Sequence, residues 1–194
     1  MTITDNSLYE NKVFKHRGLN KLGFSGVECE ECTFESCDLS SSKFYKCRFR
    51  KCTFDGCNLS LWALPETRLS ECRFKNCKMT GIDWSLTSSD MGLEMHCTEC
   101  DLSYSSFMKI DISASVFTDC VITEADFSET KMVTCTFSGT DLQRSTFYRT
   151  DARECDFRGA VNYAIDPKEN KLKKSKFSYP SVLGLLSGYG ITVE

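Results

Sequence analysis

The sequence predicts an all-β solenoid, on three observations: an apolar residue at every fifth position, a small residue two places before it, and thirteen cysteines all in that register. Helices and strands have side-chain periods of 3.6 and 2, so neither explains a period of five. Taking the apolar residue as position i, one series runs from Phe14 to Trp84 and a second from Cys97 to Phe157, every member apolar. With 41% hydrophobic residues, so long an unbroken run has a chance probability of roughly 10⁻¹¹. Position i−2 is usually Cys, Ser, Thr, Ala or Val, as in "CRFRKCTFDGC" at residues 47–57. Eleven cysteines occupy i−2, and the other two, Cys29 and Cys97, occupy i. All thirteen therefore point inward, where a free thiol behaves as a small hydrophobe.

Each unit reads as a three-residue extended segment followed by a two-residue corner. Side chains alternate along a strand, so i−2 and i share the inner face. Positions i+1 and i+2 are mostly Ser, Thr, Asp, Glu, Lys, Arg or Gly, residues that suit a turn. One unit cannot bury its face alone, and stacked coils supply both the core and the ladder hydrogen bonds. Residues 1–11 form an N-terminal segment and 12–159 the coils. Lys12 and Arg17 fall on inward positions, as in a solvent-facing capping coil. "LWALPET" puts Trp62 in a small-residue position and is expected to distort one corner. The two series differ in phase, which makes "TSSDMGLE", residues 87–94, an eight-residue insertion. Within it Asp90, Met91 and Glu94 are candidate partner contacts, with a tolerated surface excursion as the alternative.

With units such as "CDLSS", "CNLSL", "ADFSE" and "TDLQR" over residues 12–159, the chain resembles the pentapeptide-repeat family, whose consensus is A(D/N)LXX. The resemblance implies a right-handed quadrilateral β-helix with four units per coil, hence about seven coils. Past Gly159 the spacing lapses. The tail is expected to be a polar linker, a short helix with Pro180 in its first turn, and a terminal strand. Val182, Leu185, Leu186 and Tyr189 would share one helix face. This tail is similar to that of quinolone-resistance proteins and of immunity proteins against a gyrase-poisoning microcin, which implies a tail-to-tail homodimer. Leu183, Leu186, Tyr189, Ile191 and Val193 are the candidate dimer contacts, and capping of the last coil is the other use of the same surface.

Charge is unevenly spread. Residues 12–86 hold 13 Lys/Arg against 9 Asp/Glu, and residues 95–159 hold 6 against 11. Asp101, Asp111, Asp119, Glu124, Asp126, Glu129 and Asp141 are the candidate acidic face, with Asp101, Glu124 and Asp141 on one side of the rod. A regular acidic rod would compete for a basic groove that holds DNA; a solvated surface is the plain alternative.

Other chemistry finds little support. "CEEC" (29–32) and "CTEC" (97–100) mimic a zinc site, but the repeat already accounts for both. His16 and His96 have no motif around them, and inward cysteines are not exposed nucleophiles. No catalytic, metal or cofactor-binding residue is expected. The chain has neither an apolar run long enough to span a bilayer nor a signal-peptide pattern. The expected location is therefore cytoplasmic, with reduced thiols. Neither membrane nor direct nucleic-acid binding is expected. By the resemblance, the partner would be DNA gyrase or topoisomerase IV, protected against quinolones or gyrase poisons. A non-catalytic interaction or immunity module for another toxin or partner, and a purely structural repeat protein, remain alternatives.

Overall fold

The computed structural model describes residues 3–88, 92–189 and 191. Three-residue strands such as Val13–Lys15, Thr33–Glu35 and Thr53–Asp55 pair in parallel, each one coil from the next. The register is four units of five, so Phe14 lies against Phe34 and Phe34 against Phe54. The result is a parallel β-solenoid with four faces.

Every residue at position i in both series is buried, and so are all thirteen cysteines, each a free thiol. The core is a set of stacked columns. Phe34 and Phe54 stack at 4.7 Å, Phe117 and Phe137 at 5.1 Å, and Phe107 and Phe127 at 4.9 Å with rings 2° from parallel. Trp62 does not distort its corner. It is fully buried and sets its ring edge-on to Phe44, Phe49 and Phe54, while Ala63 keeps the register by bridging to Lys43.

The corners share one conformation. Position i+2 is left-handed, a geometry that costs roughly 1 kcal/mol away from glycine, with φ between 47° and 64° at every such non-glycine residue but Leu86, which ends the short 3₁₀ helix Trp84–Leu86. The ladder offsets this cost, because the same residue donates its N–H to the next coil: Glu31 to the Arg50 carbonyl and Lys51 to that of Ser70, both at 2.9 Å. Position i−1 explains the preference for Asp and Asn. Asp38, Asn58, Asp101 and Asp141 each accept the backbone N–H two residues on, at 3.0–3.2 Å, which closes an Asx turn.

The boundaries differ from expectation in three places. At the N-terminus the ladder begins within residues 1–11, where Leu8–Glu10 pairs with Glu28–Glu30 and buries Tyr9 against Cys29. Lys12 and Arg17 are exposed, because no coil lies below them. At the other end the coil continues past Gly159. Asp151 bridges to Lys171 and Asp156 to Lys176, and Phe177 stacks on Phe157 at 5.1 Å. Leu172 and Phe177 keep the five-residue phase across two units, at Asn162 and Pro167, that lack an apolar residue.

The insertion is shorter than the sequence reading made it. Cys72–Lys75 pairs directly with Met95–Thr98, and Cys72 sits opposite Met95 where an unbroken register would put Gly92, so the net insertion is three. Thr87 and Leu93 are buried as coil residues; the Ser88 N–H meets the Thr67 carbonyl and the Leu93 N–H that of Asp111. Ser89, Asp90 and Met91 lie outside the described residues.

The tail helix is a 3₁₀ helix, Ser181–Tyr189, and Pro180 precedes it instead of entering its first turn. Three residues per turn eclipse i and i+3, so the stripes differ from those of an α-helix. Gly184 touches the coil: its carbonyl accepts the Ile165 N–H at 3.3 Å, and a Cβ there would collide with the Tyr163 carbonyl oxygen. Leu185 packs on the core. Leu183, Leu186 and Tyr189 form the third stripe. The expected terminal strand, with Val193, lies outside the described residues; Ile191, which is described, is exposed and not in a strand. Among the described residues no helix is long and apolar enough to cross a membrane.

Candidate functional site

The solenoid converts blocks of sequence into bands along its axis, because the chain returns to the same face after every four units. Since the ladder runs on to Lys176, the charge divides differently from the sequence reading. Residues 95–143 hold 8 Asp/Glu against 2 Lys, and residues 144–176 hold 9 Lys/Arg against 5 Asp/Glu. A middle band is acidic and the C-terminal band basic.

The seven nominated acids lie in the middle band but on all four faces. Asp101 and Asp141 share one column with Val121 between them, and Glu124 stands at the corner of the Val121 unit. Asp126 lies in the column of Ser106 and Thr146, with Glu129 at its corner. Asp111 lies below Lys131 on a third face, and Asp119 is on the fourth, after Phe117. Asp119 sets its carboxylate where a side chain on Gly139 would be, so that a Cβ there would collide with it. Gly139 is also left-handed at φ +67°, so glycine is required there on two counts.

Ion pairs between coils neutralise part of this charge. Lys131 meets Asp111 at 2.7 Å, Arg144 meets Glu124 at 3.5 Å and Lys109 meets Glu129 at 3.9 Å. Asp101, Asp126 and Asp141 instead give one oxygen to their Asx turns, accepting from Ser103, Ser128 and Gln143, which leaves the other to solvent. These carboxylates therefore have a structural part in the corner as well as a place on the surface.

Beside the insertion, a groove of about 270 Å³ lies between Arg68, Glu71, Ser88, Gly92, Glu94 and Asp111. Glu94 pairs with the His96 Nε2 at 2.9 Å. In the tail, Leu183 and Leu186 are half-buried while Tyr189 and Ile191 are exposed, and the Lys168 ammonium lies 4.3 Å from the centre of the Tyr189 ring.

The thiols are set away from chemistry. Burial pushes Cys29, Cys97 and Cys135 above the ordinary thiol range. Cys29 pairs in register with Tyr9 and Phe49, and Cys97 with Phe74 and Phe117, so the two CxxC stretches are held several rungs apart.

The pentapeptide repeat region profile matches residues 27–89 and 94–162, and the chain belongs to the pentapeptide-repeat family. Among solved structures, a trypsin-treated variant of QnrB1, a plasmid-mediated fluoroquinolone resistance protein, is 21% identical, covers 97% of this chain and 100% of its own, and has a TM-score of 0.47. HetL, a pentapeptide repeat protein involved in heterocyst differentiation regulation from the cyanobacterium Nostoc sp. Strain PCC 7120, is 14% identical over 88% of this chain and 83% of its own, with a TM-score of 0.47. No curated protein matches.

Proposed function

We propose that this protein is a non-catalytic interaction rod whose partner is a bacterial type II topoisomerase, DNA gyrase or topoisomerase IV. The acidic middle band carries the reading. Its two lysines are already engaged by Glu129 and Asp111, so Asp101 and Asp141, two coils apart in one column, and Asp126 on another face leave carboxylate oxygens to solvent. A DNA-binding groove is built for phosphates at regular spacing, and such a rod competes for it. The loop beside Glu94 would add contacts that select the partner, and the Leu183, Leu186 and Tyr189 stripe with Ile191 would close a two-fold dimer, burying one patch on both chains. Protection against quinolones or gyrase poisons would follow from displacing the DNA on which such compounds act.

A gyrase supercoiling assay with the purified protein, with and without ciprofloxacin, tests this. The expected result is altered supercoiling or relief of drug inhibition. No effect on gyrase or topoisomerase IV in either condition leaves the rod as an interaction or immunity module for a different partner.

A further inference from the structure

The basic C-terminal band is a second charged surface, on a different part of the rod from the acidic one. Asp151 lies between Lys131 and Lys171 in one column, and Arg153 and Lys173 stand two residues farther along the same two coils. Lys174 and Lys176 turn the corner onto the adjoining face. Asp151 and Asp156 lie low, while Glu154, whose side chain is 51% exposed, stands at the corner and meets Lys174 at 3.4 Å. Asp151 is gripped by both Arg153 nitrogens at 2.7 and 2.8 Å and its side chain is 15% exposed, whereas the side chains of Lys171 and Lys174 are 72% and 68% exposed. Along the Asp151 column solvent therefore meets cation tips, with Glu154 exposed beside Lys174 at the corner.

The partner follows from the shape of this lattice. Successive coils are ~4.8 Å apart, and residues two apart along a strand are ~6.6 Å apart. Three rungs cover about 10 Å, over which a DNA duplex presents about six phosphate charges. Among the described residues no aromatic ring lies between these cations, so bases have nothing to stack on. The exposed aromatic nearest in sequence, Tyr179 at 83%, stands three residues past Lys176 and not among these cations, so the cations themselves carry no apolar anchor of the kind that dominates protein interfaces. What remains is the recognition of a charged backbone without regard to sequence.

We infer that this face docks the phosphate backbone of duplex DNA. This departs from the sequence expectation of no direct nucleic-acid contact, because only the continued ladder brings Lys171, Lys173, Lys174 and Lys176 onto adjoining faces beside Arg153. It does not depend on the identity of the protein partner.

The test is fluorescence anisotropy of a labelled DNA duplex with the full chain, titrated with salt. With about four phosphates engaged, affinity should fall about a hundredfold between 50 and 200 mM salt. Combined Lys171→Gln, Lys173→Gln, Lys174→Gln and Lys176→Gln should remove most of the binding and flatten the salt slope. Combined Lys43→Gln, Lys46→Gln, Lys75→Gln and Lys78→Gln should leave both unchanged, with circular dichroism confirming that each variant folds. Absence of binding at 50 mM salt, or equal loss in the two sets, overturns the inference. So does preferential binding of polyglutamate over duplex, which would assign the face to an acidic protein.

Discussion

The Cys57 thiol donates to the backbone carbonyl oxygen of Phe34, one coil below, at 3.3 Å. Cys32 does the same to Tyr9, Cys37 to Phe14 and Cys77 to Phe54, at 3.2–3.3 Å. Where the small residue is a hydroxyl, the contact recurs: Thr67 donates to the Phe44 carbonyl at 2.7 Å and Ser145 to that of Ile122 at 2.6 Å. The cysteines are therefore donors as well as packing units. A buried carbonyl without a partner costs free energy, which accounts for Cys, Ser and Thr recurring at a position where Ala would also fit.

This relationship separates two substitutions of similar size. Cys57→Ala should destabilise by about 1–2 kcal/mol, through a lost donor and a small void. Cys57→Thr keeps a donor and should cost less. Chemical denaturation of the two variants reads the difference, and equal losses would mean that the donor contributes nothing.

The interior tolerates no charge. Cys52→Arg would bury an unpaired guanidinium among Phe49, Phe54 and Cys29 and should prevent folding. Native-state titration with a thiol reagent should label few of the thirteen thiols, all of which are buried. Rapid labelling of most of them would contradict the inward assignment.

Much of this was legible in the sequence, because a five-residue period has one economical explanation and it fell on Phe14 to Trp84 and again on Cys97 to Phe157 without a miss. Two kinds of feature were not. Asn162 and Pro167 interrupt the period, so the coil carrying Leu172 and Phe177 reads as a linker, although its backbone pairs with the preceding coil at Val161, Lys171 and Lys176. The insertion reads as eight residues because Gly92 stands where the second series wants an apolar residue; Leu93, one place later, fills the core. Of the candidate site, the sequence shows which residues are acidic. It does not show which cations cross coils to meet them, since Arg144 and Glu124 are neighbours only through the coil-to-coil register.

The insertion can now be excised cleanly. Deleting residues 89–91 restores the four-unit register while keeping Thr87 and Leu93 in the core, so the fold should survive with little loss of stability. Any effect of the protein on gyrase or topoisomerase IV should fall. A fully active deletion variant would show that the segment is a surface excursion, whereas loss of folding would show that it supports the coil.

Acid should weaken the C-terminal coils first. Arg158, hydrogen-bonded to Asp156, holds that carboxyl down at about 2, and Arg153 lowers Asp151 in the same way. An unfolded aspartate titrates near ~3.9, so the folded state favours the ionised form. That stabilisation is full above about pH 5 and is lost as pH falls through the folded value. The denaturation midpoint should drop between pH 5 and 2, and Asp156→Asn should drop less. An unchanged pH profile in that variant would remove Asp156 from the explanation.

The tail should decide the assembly state. Sedimentation of the full chain at micromolar concentration should give about twice the 22.0 kDa chain mass, and Leu186→Glu with Tyr189→Glu should give the monomer without unfolding the coils. A monomeric full-length protein would leave the 3₁₀ helix as a cap only.

The most direct test of the account is competition between this protein and duplex DNA for purified DNA gyrase, measured as displacement of a labelled duplex. The account predicts displacement that weakens about tenfold or more when Asp101, Asp126 and Asp141 are changed together to Asn, which keeps the Asx turns but removes the charge. Displacement that is absent, or that is unaffected by the triple change, would contradict the assignment of the acidic middle band.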